Sequence, residues 1–136
     1  MNIFVDTNIF IDLIADRKPY SKFAIEIFSK AESGSIQLFA SSHTIATTHY
    51  LLKKYIDETS LRNILYTILD YVTIISVDAN IIKKSLKSKH KDFEDAIQIL
   101  AANSVSKIDC IVTRDIKDFK NSEIEVVGPD ELCGMI

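Results

Sequence analysis

The sequence is poor in the residues that build disulfide frameworks and glycine-rich loops, with two cysteines, three glycines and two prolines in 136 residues. Cys110 and Cys133 lack CxxC spacing, so both are expected to be reduced thiols of an intracellular protein. No GxGxxG or GxxxxGK[ST] run occurs, which disfavours Rossmann and P-loop nucleotide-binding proteins. No apolar run approaches the roughly 18 residues of a membrane span, and no signal-peptide pattern opens the chain. We therefore expect a soluble, cytoplasmic protein with no membrane partner.

The sequence also lacks a large excess of charge of either sign, because the formal net charge is only -3. Without a global basic field, a nucleic-acid partner would have to be held by a local patch or through metal ions. A chain of this length buries roughly two-thirds of its unfolded surface, which is enough for a core without disulfides or metal staples. No linker, repeat or change of composition interrupts the sequence. A single domain spanning residues 1–136 is predicted.

Short apolar segments alternate with helical patterns along the whole chain. Strands are predicted at 3–5, 36–40, 72–77, 108–113 and 125–127. Helices are predicted at 8–15, 21–32, 43–56, 59–70, after Asp78 and from Phe93 to about Val105. Strands separated by helices in a small domain predict an α/β fold, a three-layer sandwich with a mostly parallel central sheet of four to five strands.

Acidic residues recur where this scheme places the carboxyl ends of strands. Asp6 directly follows the first strand, Asp115 follows the fourth, and Asp95 lies at the start of a helix that can reach the same edge. Ligands of open parallel sheets bind beyond the carboxyl ends of the strands. Clustered carboxylates repel one another unless a cation joins them, and hard oxygen ligands suit Mg²⁺ or Mn²⁺. The pattern favours a divalent metal site.

Each acid also has a structural interpretation. Asp6 could cap the helix that follows it, because Asp is a favoured cap and its charge suits a helix N-terminus. Asp92 and Asp95 are spaced like an N-cap and the third residue of a helix. Asp118, followed by Phe119, could open a turn. The coincidence of three acids at one sheet edge weakens these structural interpretations.

Polar and basic residues near the acids are candidates for supporting roles. Asn8 and Thr113 would orient ligands or waters, and Arg114 could contact a substrate phosphate. Residues 83–91 contain five lysines and His90 without an acid, and Lys89 and Lys91 of this stretch could hold flanking phosphates. The alternative is a solvated helix end that the helix dipole favours.

Three motifs together resemble the PIN-domain nucleases, a family that includes many toxin ribonucleases of bacterial toxin–antitoxin pairs. The motifs are VDTN at 5–8, DFEDA at 92–96, and TRD at 113–115 followed by Asp118 and Phe119. The resemblance covers nearly the whole chain. It implies a compact α/β fold, one or two Mg²⁺ or Mn²⁺ ions, and hydrolytic cleavage of RNA. Carried over by position, Asp6, Asp95 and Asp115 are the metal-binding, catalytic acids.

The sequence departs from the family pattern at one position. The family commonly has a Glu about six residues beyond a Ser after the second strand, but Ser41 leads here to Thr47. The loss would weaken the metal site or shift the role onto other acids, namely Asp92, Glu94 or Asp118. His49 could bind a metal or a phosphate, or could be a half-buried helix residue.

Two other functions are compatible with these residues. The missing acid favours a catalytically weakened module that binds RNA or protein. The strand followed by Asp-x-Asn resembles, more faintly, the Asp-x-Asp start of haloacid-dehalogenase phosphohydrolases, although Asn8 removes their usual acid/base. These enzymes hydrolyse small phosphate esters through an aspartyl-phosphate, whereas the nuclease interpretation involves no covalent intermediate.

Apolar residues of the first two helices are candidates for contacts with partner proteins. Ile14, Tyr20 and Phe23 could serve a homodimer or an inhibitory antitoxin protein, and core packing explains the same residues. The homodimer and the antitoxin are expectations that rest on the family resemblance.

Overall fold

The computed structural model describes residues 1–136 and contains one sheet of five parallel strands in the order β3-β2-β1-β4-β5. The strands are β1 (Asn2–Val5), β2 (Gln37–Ser41), β3 (Val72–Ile75), β4 (Cys110–Val112) and β5 (Glu125–Val127). The central strand β1 pairs with β2 on one side and with β4 on the other. The strands β2 and β3 therefore form the sheet on one side of β1, and the later strands β4 and β5 form it on the other side.

Seven α-helices and one 3₁₀-helix connect and cover the strands. The α-helices are α1 (Thr7–Ile14), α2 (Ser21–Glu32), α3 (Ser42–Leu52), α4 (Glu58–Ile68), α5 (Ala79–Lys87), α6 (Phe93–Asn103) and α7 (Pro129–Met135). The 3₁₀-helix is Ile116–Phe119. None of these helices combines the length and the apolar character needed to cross a membrane.

Successive residues of the central strand enter different cores, because side chains alternate between the two faces of a sheet. Ile3 and Val5 pack with apolar residues of α1, α2 and α7. Phe4 faces the opposite way and packs against α6 and the buried Phe119 of the 3₁₀-helix. A third, smaller core joins α1, α3 and α4. Both faces of the sheet are covered, so the predicted three-layer α/β architecture is confirmed.

Polar N-caps fix the helix starts that matter for the site. Asp6 caps α1, and its side chain accepts a hydrogen bond from the Thr7 N–H. Asp92 caps α6 by accepting from the Asp95 N–H, as its spacing predicted. Asp78 likewise caps α5, through the Ile81 N–H. The structural interpretations of Asp6 and Asp92 are therefore correct, and they coexist with placement at the sheet edge.

Element boundaries differ from the predictions mainly at their ends. The helix predicted at 43–56 stops at Leu52, and residues after it form turns. The strand predicted at 108–113 is only Cys110–Val112. The sequence reading missed α7, although Pro129 at its first position with Asp130 and Glu131 in its first turn is a helix-start signal. The helix is short, and its tertiary contacts with α2 stabilise it.

The two cysteines form no disulfide in the structure. Cys110 is buried in β4, and burial raises the pKa of its thiol to about 11. This thiol is therefore protonated at neutral pH and contributes to the core as a small apolar side chain.

Replacement of the buried Leu132 tests the contribution of α7 to the fold. Leu132 is fully buried in the core that α7 shares with α2, so we expect Leu132→Ala to lower the free energy of unfolding by about 2–5 kcal/mol. Met135→Ala, in the same helix but 47% exposed, should change it by no more than about 0.5 kcal/mol. Urea denaturation followed by circular dichroism measures both, and equal effects would contradict the assigned packing.

Candidate active site

The candidate site lies at the carboxyl ends of β1 and β4, which are neighbours at the centre of the sheet. The chain leaves β1 toward β2 on one side and later returns to form β4 on the other. This reversal opens a crevice beyond the strand ends, where open α/β sheets bind ligands. Asp6 follows β1 directly, and Asp115 follows β4 after Thr113 and Arg114.

The carboxylate of Asp6 is buried and accepts four hydrogen bonds. Its Oδ1 accepts from the Thr7 N–H at 2.8 Å and from Gln98 Nε2 at 3.2 Å. Its Oδ2 accepts from Thr113 Oγ1 at 2.7 Å and from Asn8 Nδ2 at 3.2 Å. Burial raises the pKa of Asp6, while these hydrogen bonds act in the opposite direction. The donors thus compensate part of the cost of burying the charged form.

Asn8 joins the two acids that follow the strands. Its Nδ2 lies 3.2 Å from Asp6 Oδ2, 3.2 Å from Asp115 Oδ2 and 3.2 Å from Thr113 Oγ1. Thr113 Oγ1 also accepts from the Asp115 N–H at 3.0 Å. Asn8 and Thr113, predicted as supporting residues, therefore lie between the two carboxylates.

Asp95 approaches from the first turn of α6 and is half-buried. Burial and the nearby charges of Asp92, Asp118, Asp6 and Asp115 raise the pKa of Asp95 to about 7. The helix start alone would favour a charged carboxylate, so burial and the surrounding acids together outweigh the helix dipole here. The structure thus brings the three predicted acids into one negatively charged region.

A buried hydrogen-bond network beneath Asp6 was not predicted from the sequence. Gln98 of α6 donates to Asp6 and to Thr44 Oγ1 at 2.6 Å, and accepts from Ser41 Oγ at 2.5 Å. One signal was available: Gln98 lies three residues after Asp95, on the same side of α6, within a stripe of buried apolar residues. A polar side chain at such a position requires polar partners.

The acids open into a cavity of about 880 Å³ that extends along α1 and α3. Asp6, Asp95 and Asp115 line one part of it. The rest has a largely apolar wall that includes Ile11, Ile14, Leu51, Leu52, Tyr55 and Ile56. Polar and apolar surfaces therefore adjoin within one cavity.

Helix α3 brings no carboxylate to this cavity. Thr47 lines it, and its Oγ1 lies 3.3 Å from His43 Nε2. His43 Nε2 is also 3.8 Å from the exposed Glu94 carboxylate. His43 was not singled out from the sequence, and its place on the cavity wall depends on how α3 packs. His49 points elsewhere and pairs with Glu58 of α4 at 2.7 Å, which is the structural role considered for it.

The structure gives Arg114 a different partner from the predicted substrate phosphate. Its Nε donates to Asp12 Oδ2 at 2.6 Å and its Nη2 to Asp12 Oδ1 at 3.1 Å. The guanidinium also stacks over the Tyr20 ring, 4.1 Å from its centroid. Asp12 is 1% exposed and requires a cation, which Arg114 supplies in an internal ion pair.

The remaining candidates are exposed side chains around the acids. Asp118 lies in the 3₁₀-helix after Asp115, and Asp92 and Glu94 flank Asp95 at the start of α6. Lys89 and Lys91 are exposed on the segment that joins α5 to α6. This segment leads directly into the acidic start of α6.

The donor set fits a hard divalent cation, although no three His, Cys, Asp or Glu side chains are close enough here to hold one ion together. Asp6 and Asp115 share the Asn8 amide, and Asp95 is near enough for their charges to raise its pKa. Mg²⁺ is usually bound through one or two carboxylates and keeps several waters. A preformed cage of three carboxylates is therefore not required.

The sequence matches a family model described as PIN domain over residues 2–117. A curated relative, Ribonuclease VapC1 of Aquifex aeolicus, is 27% identical over 137 residues, covering 96% of this chain and 92% of that protein.

Solved structures have the same fold. A toxin–antitoxin complex from Klebsiella pneumoniae contains a chain that is 29% identical with a TM-score of 0.68, covering 93% of this chain and 97% of the other. VapC20 of Mycobacterium tuberculosis, a sarcin-ricin loop cleaving toxin, is 17% identical with a TM-score of 0.69. That match covers 90% of this chain and 98% of VapC20.

The raised pKa of Asp95 makes stability depend on pH in a defined direction. Since its pKa is about 7 in the folded protein and about 3.9 when unperturbed, the folded state binds more protons between these values. The stabilisation from protonated Asp95 is full below pH 4 and is lost as the pH rises through 7. We therefore expect the stability of Asp95→Asn, relative to that of the natural chain, to increase as the pH is raised from 4.5 to 8.

Denaturant unfolding in EDTA at both pH values measures this difference. The control is Asp70→Asn, since Asp70 is an exposed acid before β3, at the opposite edge of the sheet. Its stability difference from the natural chain should not show this trend. A pH-independent difference for Asp95→Asn would contradict the assigned environment of that carboxyl.

Proposed function

From the premise that the chain belongs to the PIN domain family, we propose that it is a metal-dependent endoribonuclease that hydrolyses RNA phosphodiester bonds. The observation that carries the proposal is the convergence of Asp6, Asp95 and Asp115 in the lining of one cavity. The names of the relatives support it, since one is a ribonuclease and another a cleaving toxin. The whole chain, residues 1–136, would act as one nuclease domain on RNA in the cytoplasm.

In this proposal Asp6, Asp95 and Asp115 would bind Mg²⁺ or Mn²⁺, one or two of them directly and the rest through waters that the ion keeps. A bound divalent ion supplies an activated water and neutralises charge on the phosphodiester. Thr113 and Asn8 hold the carboxylates of Asp6 and Asp115 in place through the hydrogen bonds described above. The buried setting of Asp6 strengthens its interaction with any cation at the site.

Lys89 and Lys91 would contact phosphates that flank the scissile bond. Both are exposed beside the acidic start of α6, and Lys83, Lys84 and Lys87 extend the basic surface along the preceding helix. Phosphate contacts of this kind position RNA without reading its sequence. With Arg114 committed to Asp12, these lysines are the basic residues that we assign to substrate binding.

The absence of an acid on α3 favours a second candidate function. Thr47 and His43 line the cavity where the family commonly supplies a Glu, so the chain could bind RNA or a protein without efficient cleavage. Membership of the PIN domain family does not support the haloacid-dehalogenase alternative.

An antitoxin is the protein partner that we propose. The chain from Klebsiella pneumoniae comes from a toxin–antitoxin complex and is 29% identical to this one. The apolar wall of the cavity leaves Leu51 48% and Tyr55 81% exposed next to the carboxylates. Size-exclusion chromatography after co-expression with the product of a neighbouring gene tests this, and elution of the chain alone would contradict it.

Cleavage of single-stranded RNA by the purified protein tests the proposed activity. We expect cleavage with Mn²⁺ or Mg²⁺ and none in EDTA. Asp6→Asn and Asp115→Asn should each lower the rate at least ~100-fold, because a lost ligand removes several kcal/mol of transition-state stabilisation. Asp70→Asn is the matched control and should retain full activity.

The outcome separates the two candidate functions. Cleavage in EDTA, or full activity of both site variants, would refute the metal-dependent nuclease. Tight RNA binding by the natural chain without cleavage at any metal concentration would favour the binding module instead.

Neutralising Lys89 and Lys91 together tests the assigned phosphate contacts. The double variant Lys89→Ala/Lys91→Ala should raise KM for RNA with little change in kcat, and should lower the slope of affinity against salt by about 1–2. Lys30→Ala/Lys107→Ala is the control, since both lysines precede strands at the opposite edge of the sheet. Equal effects of the two double variants would argue against a local contact.

A further inference from the structure

Gln98 connects the three structural elements that meet beneath Asp6. Its side chain is 3% exposed and projects from the middle of α6. It contacts Asp6 at the end of β1, Ser41 at the end of β2 and Thr44 in the first turn of α3. Ser41 and Thr44 are themselves fully buried. A polar network with no solvent access is costly unless every member finds a partner, and this one does.

The partners of Gln98 determine how its amide is oriented. Asp6 Oδ1 requires a donor, so the Nε2 side of the amide must face it. Nε2 has a second hydrogen, which goes to Thr44 Oγ1 at 2.6 Å. Oε1 then faces Ser41, whose hydroxyl donates to it at 2.5 Å. Ser41 Oγ in turn accepts from the Thr44 N–H at 3.1 Å, so the backbone of α3 anchors the network.

This arrangement divides the two oxygens of Asp6 between different tasks. Oδ1 is held from the protein interior by Gln98 and by the Thr7 N–H. Oδ2 accepts from Thr113 Oγ1 and from Asn8, whose amide also contacts Asp115. Rotation of the carboxylate plane about the Cβ–Cγ bond would break the contact with Gln98. Gln98, together with the Thr7 N–H and Thr113, therefore fixes the plane of the carboxylate so that one of its two equivalent oxygens faces the second acid.

We propose that Gln98 is a positioning residue for the metal site, holding Asp6 Oδ1 so that Oδ2 is directed toward Asp115 and a divalent cation. Because α3 carries Thr47 instead of an acid, this helix takes part through the contact of Thr44 with Gln98 and not through a ligand of its own. The inference rests on the proposed function, since it assumes that a cation binds there. Outer hydrogen-bond partners of metal ligands typically contribute 10–100-fold to metal affinity.

Calorimetric titration of the RNA-free protein with MnCl₂ tests the proposal without relying on activity. Gln98→Met keeps the length of the side chain and removes both the donor and the acceptor. We expect the Kd for Mn²⁺ to rise about tenfold. Ile99→Ala is the matched control, because Ile99 is the next residue of α6, is 1% exposed and packs in the core on the Phe4 side of the sheet. It should lose stability while its Kd for Mn²⁺ stays within about twofold.

If Gln98 had only a structural role, the affinity of each variant for Mn²⁺ would follow its free energy of unfolding. The free energy of unfolding of each variant is therefore measured beside its Kd. If Ile99→Ala weakens Mn²⁺ binding as much as an equally destabilised Gln98→Met, the positioning role is overturned. An unchanged Kd for Gln98→Met overturns it as well, while the proposed metal site stands.

A milder variant covers the case in which Gln98→Met does not fold. Thr44→Val is nearly isosteric, removes one anchor of the amide and leaves both Gln98 and Asp6 in the chain. We expect it to raise the Kd for Mn²⁺ several-fold, and an unchanged Kd would overturn the proposal. If the natural chain binds no Mn²⁺ at millimolar concentration, the metal-dependent nuclease itself is refuted, and that outcome is distinct from a failure of the positioning role.

Discussion

The burial of one carboxylate, Asp6, is the constraint on which the rest of the site depends. An ionised carboxylate inside a protein must receive hydrogen bonds or a cation, because desolvation disfavours its charge. Four donors from three places in the chain meet this need: the Thr7 N–H and Asn8 at the start of α1, Gln98 of α6, and Thr113 after β4. The sheet order makes this possible, since β1 is central and β4 lies directly beside it. Fold and site are thus linked through a single side chain.

Acidic side chains outnumber basic ones in the lining of the cavity around Asp6, where Arg17 and His43 face four carboxylates. Asp95 is affected by four other carboxylates, and the nearby Arg114 is paired with Asp12. Repulsion of this kind destabilises the folded protein unless a cation relieves it, which is a common feature of sites evolved for ligands and not for stability. The family match confirms the resemblance drawn from three short motifs.

The sequence predicted those parts that depend on local pattern and on strand order. Asp6, Asp95 and Asp115 could be predicted to lie near one another because each stands at a recognisable point, after an apolar strand or at a helix start. The fold class followed from the alternation of strands and helices. Gln98, Thr44 and Asp12 were missed because their importance arises only when α3, α6 and the segment after β4 pack together. The pairing of Arg114 with Asp12 was missed for the same reason, since the two residues are 102 positions apart in sequence.

The ion pair between Arg114 and Asp12 has a consequence for the charge balance around the acids. A guanidinium directly before Asp115 in the sequence could offset these carboxylates. It is instead bound to a buried aspartate and stacked on Tyr20. Arg17, which also lines the cavity, lies 3.8 Å from the same aspartate. The carboxylates therefore depend on mobile cations of the solvent for compensation, so the ionic composition of the medium becomes part of the stability of the fold.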